Sequence, residues 1–175
     1  MSDRLRQASM HNMLLADLGE AVVQVDNYKT KPLLITLGAP TPAKLRIYMF
    51  NCTCPPGGRA PDEYKSQLII EGQKKGERRK LEETDGRLIL LIGVATPFDS
   101  YENAVYVLWE AEAHREFSFS ANLQVKLEPM LRTFTDGVVV YRKKSKEDVV
   151  LAQRKDILTA ISTRLDIDLQ KLLEV

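Results

Sequence analysis

Residues 44–51 read KLRIYMFN and residues 64–70 read YKSQLII, and these two stretches decide the fold class. Apolar residues recur at every second position from Leu45 to Met49, which is the periodicity of a β-strand. The second stretch alternates in the same way. Because a Pro-Pro-Gly-Gly turn lies between them at residues 55–58, we expect the two strands to be neighbours.

Outward from these strands, the chain continues as a strand-rich middle between two helical ends. Residues 87–94 form an apolar run typical of a strand buried on both faces, and residues 104–110 and 117–120 predict further strands. Apolar residues at helical spacing predict a first helix that ends at Gly19 and a last helical region after Asp156. No regular strand-helix-strand alternation is present. The sequence therefore predicts an α+β, mostly β fold with an antiparallel, open sheet and helices near both termini.

Composition limits the class of protein. The chain has 175 residues, of which 44% are hydrophobic and 28% charged, as in an ordinary globular domain, and this excludes disorder and membrane spanning for the whole. Charged residues interrupt the first eighteen positions, so they do not form a signal peptide. We expect a single cytoplasmic domain with no membrane partner.

Cysteine and histidine are too few and too irregularly spaced for a zinc site. Cys52 and Cys54 are separated by one residue, whereas paired zinc ligands usually have two to four residues between them. His11 and His114 do not form a paired motif. We predict no metal site, thiols on or beneath a strand, and a structural rather than catalytic role for His114.

Positive charge is clustered rather than abundant. The formal net charge is only +1, so a nucleic-acid partner would have to be recognised by local patches. One cluster forms a loop rich in glycine and contains Lys74, Lys75, Arg78 and Arg79. The other, at residues 142–146, follows an apolar strand. Either cluster is also compatible with a solvated hairpin tip.

The stretch Pro61–Lys65 resembles the acidic and lysine elements of metal-dependent nucleases. Asp62 and Glu63 are adjacent, so in an extended strand their side chains point to opposite faces and do not share one metal ion. The chain also lacks glycine-rich phosphate-binding motifs and a Gly-x-Ser-x-Gly nucleophile motif. We therefore predict no catalytic residues in this chain.

Two blocks of sequence resemble a known family. The first runs from Asn51 to Gln67 and continues into the strand that follows. The second consists of Leu88–Gly93, Val105–Trp109, His114 and Phe117–Val125, in that order. Together they span most of residues 45–125 and resemble the recognition domains attached to bacterial restriction endonucleases.

The resemblance implies a DNA-binding pseudobarrel similar to that of plant auxin-response transcription factors. In such folds two arms, each a loop and a strand, contact the major groove. By position, one arm is Asn51–Gln67 and the other is Phe117–Gln124. Residues 1–175 would then be one DNA-recognition domain of a larger restriction enzyme, without a cleavage site of its own.

Side-chain chemistry selects the candidate contacts. Arginine forms paired hydrogen bonds with guanine, and asparagine and glutamine form them with adenine. The candidates for base contacts are Arg59, Gln67, Asn122 and Gln124, and those for phosphate contacts are Lys65, Ser118 and Ser120. Asn51 begins the first arm, and the basic loop with Lys74, Lys75, Arg78 and Arg79 would add affinity that does not depend on sequence.

The leading hypothesis is sequence-specific binding of double-stranded DNA. Binding would need no cofactor, and Mg²⁺ would belong to a nuclease domain in the same chain or in a partner subunit. If Arg59 contacts a base, Arg59→Ala should weaken duplex binding by about 1–3 kcal/mol in a gel-shift titration. Two alternatives remain open: a small magnesium-dependent nuclease that uses Asp62, Glu63 and Lys65, and a protein-interaction domain.

Overall fold

The computed structural model of the chain describes residues 4–54, 60–82 and 85–174. Numbered along the chain, its strands are β1 (Val22–Asn27), β2 (Leu33–Leu37), β3 (Ala43–Cys52), β4 (Glu63–Leu68), β5 (Arg78–Lys80), β6 (Leu88–Ala95), β7 (Val105–Trp109), β8 (Glu116–Ser118), β9 (Ala121–Lys126), β10 (Val139–Arg142) and β11 (Asp148–Gln153). Its α-helices are α1 (Gln7–Leu18), α2 (Leu127–Asp136) and α3 (Ile157–Leu173).

Seven strands form one sheet in the order β1-β2-β3-β6-β7-β11-β10. The pair β3 and β6 is parallel, with Leu45 opposite Leu88 and Cys52 opposite Ala95, and the other pairs of this sheet are antiparallel. The remaining four strands form two antiparallel ribbons, β4–β9 and β5–β8. Parallel neighbours need a long connection, and here that connection contains β4 and β5.

The seven-stranded sheet is covered on both faces, and strand β3 shows how. Leu45, Ile47 and Met49 contribute to one apolar cluster with residues of α1 and α3. Tyr48 and Phe50, on the opposite face, contribute to a second cluster with residues of the β4–β9 ribbon and α2. The ribbon is therefore fixed to the sheet through a buried apolar layer, because its inner side chains are removed from water.

The predicted α+β, mostly β, open fold with helices near both ends is confirmed. The first helix ends at Gly19, whose φ is +53°, and the last helical region is the single helix α3. The predicted strand at 87–94 is β6, and it is buried from Leu90 onward. None of the described helices has the length and apolar composition needed to cross a membrane.

Several features differ from the sequence prediction. The predicted strand at 117–120 ends at Ser118, and residues 119–120 form the turn before β9. The sheet is mixed, because β3 and β6 are parallel. The expected pairing of β3 with β4 is reduced to one bridge between Thr53 and Lys65, since β4 pairs with β9 instead. Helix α2 was not predicted, although Leu127, Met130 and Phe134 have helical spacing and Met130 is fully buried.

Candidate nucleic-acid interface

Four of the predicted DNA-contacting residues lie on the β4–β9 ribbon. In its antiparallel register Lys65 is opposite Gln124, and Gln67 is opposite Asn122. Side chains of directly opposite residues in such a ribbon lie on the same face. The strands of the two predicted arms are thus hydrogen-bonded to each other, and these four side chains form one group, which we call the ribbon face.

The ribbon face points outward because residues of β4 and β9 alternate between buried and accessible. Ser66, Leu68, Leu123 and Val125 are buried, whereas Gln67 and Asn122 are exposed and Lys65 and Gln124 are half-buried. Apolar residues of both strands thus pack on the sheet, and the polar residues between them face solvent.

The position of the ribbon is set by hydrogen bonds as well as by apolar packing. Trp109, fully buried in β7, donates its indole Nε1–H to the backbone oxygen of Gln124 at 3.0 Å. The Ser66 hydroxyl donates to the backbone oxygen of Asn51 at 3.0 Å. The central sheet therefore holds both strands on their inner face. The outward-facing side chains take no part in these hydrogen bonds.

The second ribbon continues the first. Strands β5 and β8 pair with Arg78 opposite Ser118, and the chain enters β5 from β4 and leaves β8 for β9. Ser118 is exposed, while Ser120 occupies the turn between β8 and β9 with φ +55°. Arg78 is 67% exposed and lies 3.8 Å from Glu116, so it remains accessible to a ligand.

The basic loop between β4 and β5 is organised by its own polar residues. Buried Gln73 donates to the backbone oxygen of Glu77 at 3.0 Å, and the Glu77 carboxylate accepts from the Lys74 backbone and from Arg79, the latter at 2.6 Å. The Arg79 hydrogen bond lowers the pKa of Glu77, and the Lys74 bond adds to the effect. Lys74 and Lys75 are exposed, so the loop presents lysines while Arg79 is paired internally.

Asn51 does not belong to the ribbon face. The Asn51 side chain accepts from the Leu5 backbone N–H at 3.0 Å and donates to the Leu5 oxygen at 2.8 Å. Asn51 thereby fastens the segment before α1 to the end of β3. Arg59 and the Pro-Pro-Gly-Gly turn lie outside the described residues.

A cavity of about 390 Å³ lies beside β4 and shares two residues with the ribbon face. It is lined by Arg4, Gln7, Met10, Lys31, Met49, Phe50, Asn51, Thr53, Lys65, Gln67 and Ile69. Lys31 donates to the Ile69 oxygen at 3.1 Å and lies 4.0 Å from the centre of the Phe50 ring. Burial lowers the pKa of Lys31 to about 8. Sequence reasoning did not find this cavity, because its residues come from four separate parts of the chain.

Several of the residues considered for metal binding contact other parts of the described chain. Asp62 lies in the turn before β4 and its carboxylate is 3.5 Å from Lys126, while Glu63 is the first residue of the strand. Cys52 is buried, which raises its thiol pKa to about 12, and the Cys54 thiol donates a hydrogen bond to the Pro61 oxygen at 3.3 Å. Within the described ranges, no group of three or more histidine, cysteine or acidic residues could hold a metal ion.

The second basic cluster and His114 belong to a network of ion pairs at the β10–β11 hairpin. Arg142 pairs with Asp148 at 2.9 Å, and Lys143 pairs with buried Glu147 at 3.1 Å. Glu147 also lies 2.8 Å from the His114 Nε2 atom. These contacts connect the hairpin to the segment after β7 through His114 and Glu147.

Comparison with known proteins gives a family match. A family model described as Methylase-associated X1 matches residues 43–161, more than half of the chain. The matched range begins with β3, contains both ribbons and ends within α3. The comparisons found no match among curated proteins and none among solved structures. A methylase-associated family fits a restriction-modification context.

Proposed function

The chain belongs to the Methylase-associated X1 family, and from this premise we propose that it recognises double-stranded DNA as the target-reading component of a restriction-modification system. The supporting observation is the ribbon face, on which Lys65, Gln67, Asn122 and Gln124 lie together on paired strands. The family description supports the biological context, and the ribbon face supports the kind of ligand.

A two-stranded antiparallel ribbon has the right dimensions for this role, because the major groove of B-form DNA admits either a helix or such a ribbon. Gln67 and Asn122 are exposed amides on directly opposed positions, and each amide has the donor and acceptor that match an adenine edge. Lys65 and Gln124 are the adjacent pair along the same face. The ribbon would therefore read consecutive base pairs.

Contacts to the DNA backbone would come from the second ribbon and the basic loop. Arg78, Ser118, Lys74 and Lys75 are exposed there. Since the formal net charge is only +1, phosphate attraction depends on these local groups rather than on the whole protein. Arg79 would contribute less, because Glu77 already neutralises it at 2.6 Å.

Cleavage would be supplied by a nuclease that uses Mg²⁺, either as another domain or as a partner subunit. The nuclease alternative centred on Asp62, Glu63 and Lys65 makes a different prediction, because it requires cleavage by this chain alone. Incubating the chain with plasmid DNA and Mg²⁺ separates the two ideas. If the chain cleaves the plasmid and Glu63→Ala abolishes this cleavage, the protein is a nuclease and the proposed recognition role is rejected.

The direct test is selection of bound duplexes from a random pool, with and without cytosine methylation. We expect an enriched sequence, and Gln67→Ala or Asn122→Ala should weaken its binding by about 1–3 kcal/mol. Gln24→Ala in β1 and Asn12→Ala in α1 are matched controls, because both residues are exposed and lie outside the ribbons. Absence of duplex binding even at low salt would reject the proposal.

A further inference from the structure

The cavity beside β4 combines positive charge with an apolar wall. Arg4, Lys31 and Lys65 line it, and none of its described lining residues is acidic. Three cations around one cavity favour an anionic ligand, because each like charge is costly until a counter-charge is present. Lys31 carries a separate cost, because its burial disfavours the charged form and lowers its pKa to about 8.

The other lining residues favour a ligand larger than a simple anion. Met10, Met49, Phe50 and Ile69 supply apolar surface, and Gln67 supplies an exposed amide. The amides of Gln7 and Asn51 also line the cavity, but they are hydrogen-bonded to His11 and Met49 and to Leu5. At about 390 Å³ the cavity lies within the range of small-molecule sites, which is about 300–1,000 Å³. An inorganic phosphate would leave the apolar wall uncovered. A nucleotide carries both an anionic phosphate and a flat base that buries apolar surface.

We propose that this cavity binds a single nucleotide unit, with its phosphate near Arg4 and Lys31 and its base against the apolar wall. The cavity shares Lys65 and Gln67 with the ribbon face, so a nucleotide turned out of a bound duplex has a short path into it. This source of the nucleotide rests on the proposed function. A free mononucleotide has the same chemistry and is the second source.

Asn51 has a positioning role in this site. Its amide holds the Leu5 backbone at 2.8 and 3.0 Å and so fixes the adjacent Arg4 at the cavity. Arg4, Gln7, Met10 and Lys31 all precede the range matched by the family model, which starts at residue 43. The cavity is thus formed where this preceding segment contacts the family domain.

The duplex arm of the test uses DNA with a 2-aminopurine at an unpaired position, because this base fluoresces more strongly when it leaves the stack. We expect a fluorescence rise with the wild-type chain. Arg4→Gln and Lys31→Met should each weaken the effect by about tenfold in apparent affinity, as expected for loss of a charged hydrogen bond. Arg6→Gln and Lys29→Met are the matched controls, since both residues are exposed and do not line the cavity.

The second arm measures binding of free nucleoside monophosphates by calorimetry, with the same four variants. Weakening by Arg4→Gln and Lys31→Met but not by the controls supports the nucleotide site in either arm. Binding of mononucleotides without any duplex binding would keep the site and reject the proposed DNA function. Duplex binding that neither cavity variant alters, together with no mononucleotide binding, would reject the site and keep the proposed function.

Protonation gives a further readout in both arms. An anion near Lys31 favours its charged form and raises its pKa above 8, so affinity should fall as the pH rises through about 8. Arg4 and Lys65 are the other charged groups of the lining, and His11 interacts electrostatically with Lys31. His11 has a pKa lowered by burial and is neutral in this range. Lys31→Met should remove the pH dependence, and its persistence in that variant would contradict the role of Lys31.

Discussion

Gln67 and Asn122 are directly opposite each other in the β4–β9 ribbon, and both side chains are exposed. If they contact neighbouring bases, each change to alanine should cost about 1–3 kcal/mol of cognate binding, and the double variant should be non-additive by at least about 0.5 kcal/mol. A double-mutant cycle by gel-shift titration measures this coupling. If each single variant shows its full loss of binding free energy and the double variant shows their sum, the two amides contact separated parts of the duplex.

The basic loop should control the salt dependence of binding. Each lysine that binds a DNA phosphate adds about 0.9 to the slope of log affinity against log salt, so Lys74→Gln and Lys75→Gln should each lower the slope by about this amount. Lys144→Gln is a matched control, because Lys144 is an exposed lysine in the β10–β11 turn. A slope that changes equally in all three variants would assign the effect to overall charge.

Gly93 should be required for the β4–β9 ribbon to keep its position against the central sheet. A Cβ atom added there would lie 2.6 Å from the Trp109 ring, whose indole N–H holds the Gln124 backbone. Gly93→Ala should therefore destabilise the fold by about 1–3 kcal/mol and weaken duplex binding. In a Trp109→Phe background the same change should cost less, because the smaller ring leaves space. Equal costs in both backgrounds, measured by urea unfolding, would exclude this contact as the cause.

Asp148 should make the free energy of unfolding depend on pH in the acid range. Hydrogen bonds from Arg142 lower its pKa to about 2, burial opposes this shift, and Lys171 adds to it at 3.0 Å. Because the folded-state pKa lies below the unfolded value of 3.8, the stabilisation is fully present above about pH 4 and is lost as the pH falls through 2.

Asp148→Asn should thus reduce the free energy of unfolding by about 2 kcal/mol at pH 7, and the reduction should shrink toward pH 2. Urea unfolding at several pH values measures the effect. Asp166→Asn provides the comparison, since Asp166 is exposed on α3. A cost for Asp148→Asn that does not vary with pH would show that its charge is not responsible.

Much of the site follows from local patterns in the sequence. Alternation in residues 64–68 and 121–125 separates polar from apolar side chains with a period of two, so the composition of the ribbon face was predictable. Helix α2 was also visible in the spacing of its apolar residues, although it was missed. The four side chains of the ribbon face were selected as contact candidates from the family resemblance and from their side-chain chemistry, and the alternation in residues 64–68 separates Lys65 and Gln67 from the apolar side chains.

For β4 the sequence by itself thus determined which side chains face outward, because that choice depends only on alternation along one strand. The tertiary structure decided which strands pair, since pairing is a contact between distant residues whose local patterns are alike. It joined the two predicted arms into one ribbon and made β3 and β6 parallel. It also brought Arg4 and Lys31 to the cavity beside Lys65. The sequence could not show this, because the packing of α1 and of the segment before β2 against the sheet leaves no signature in local periodicity.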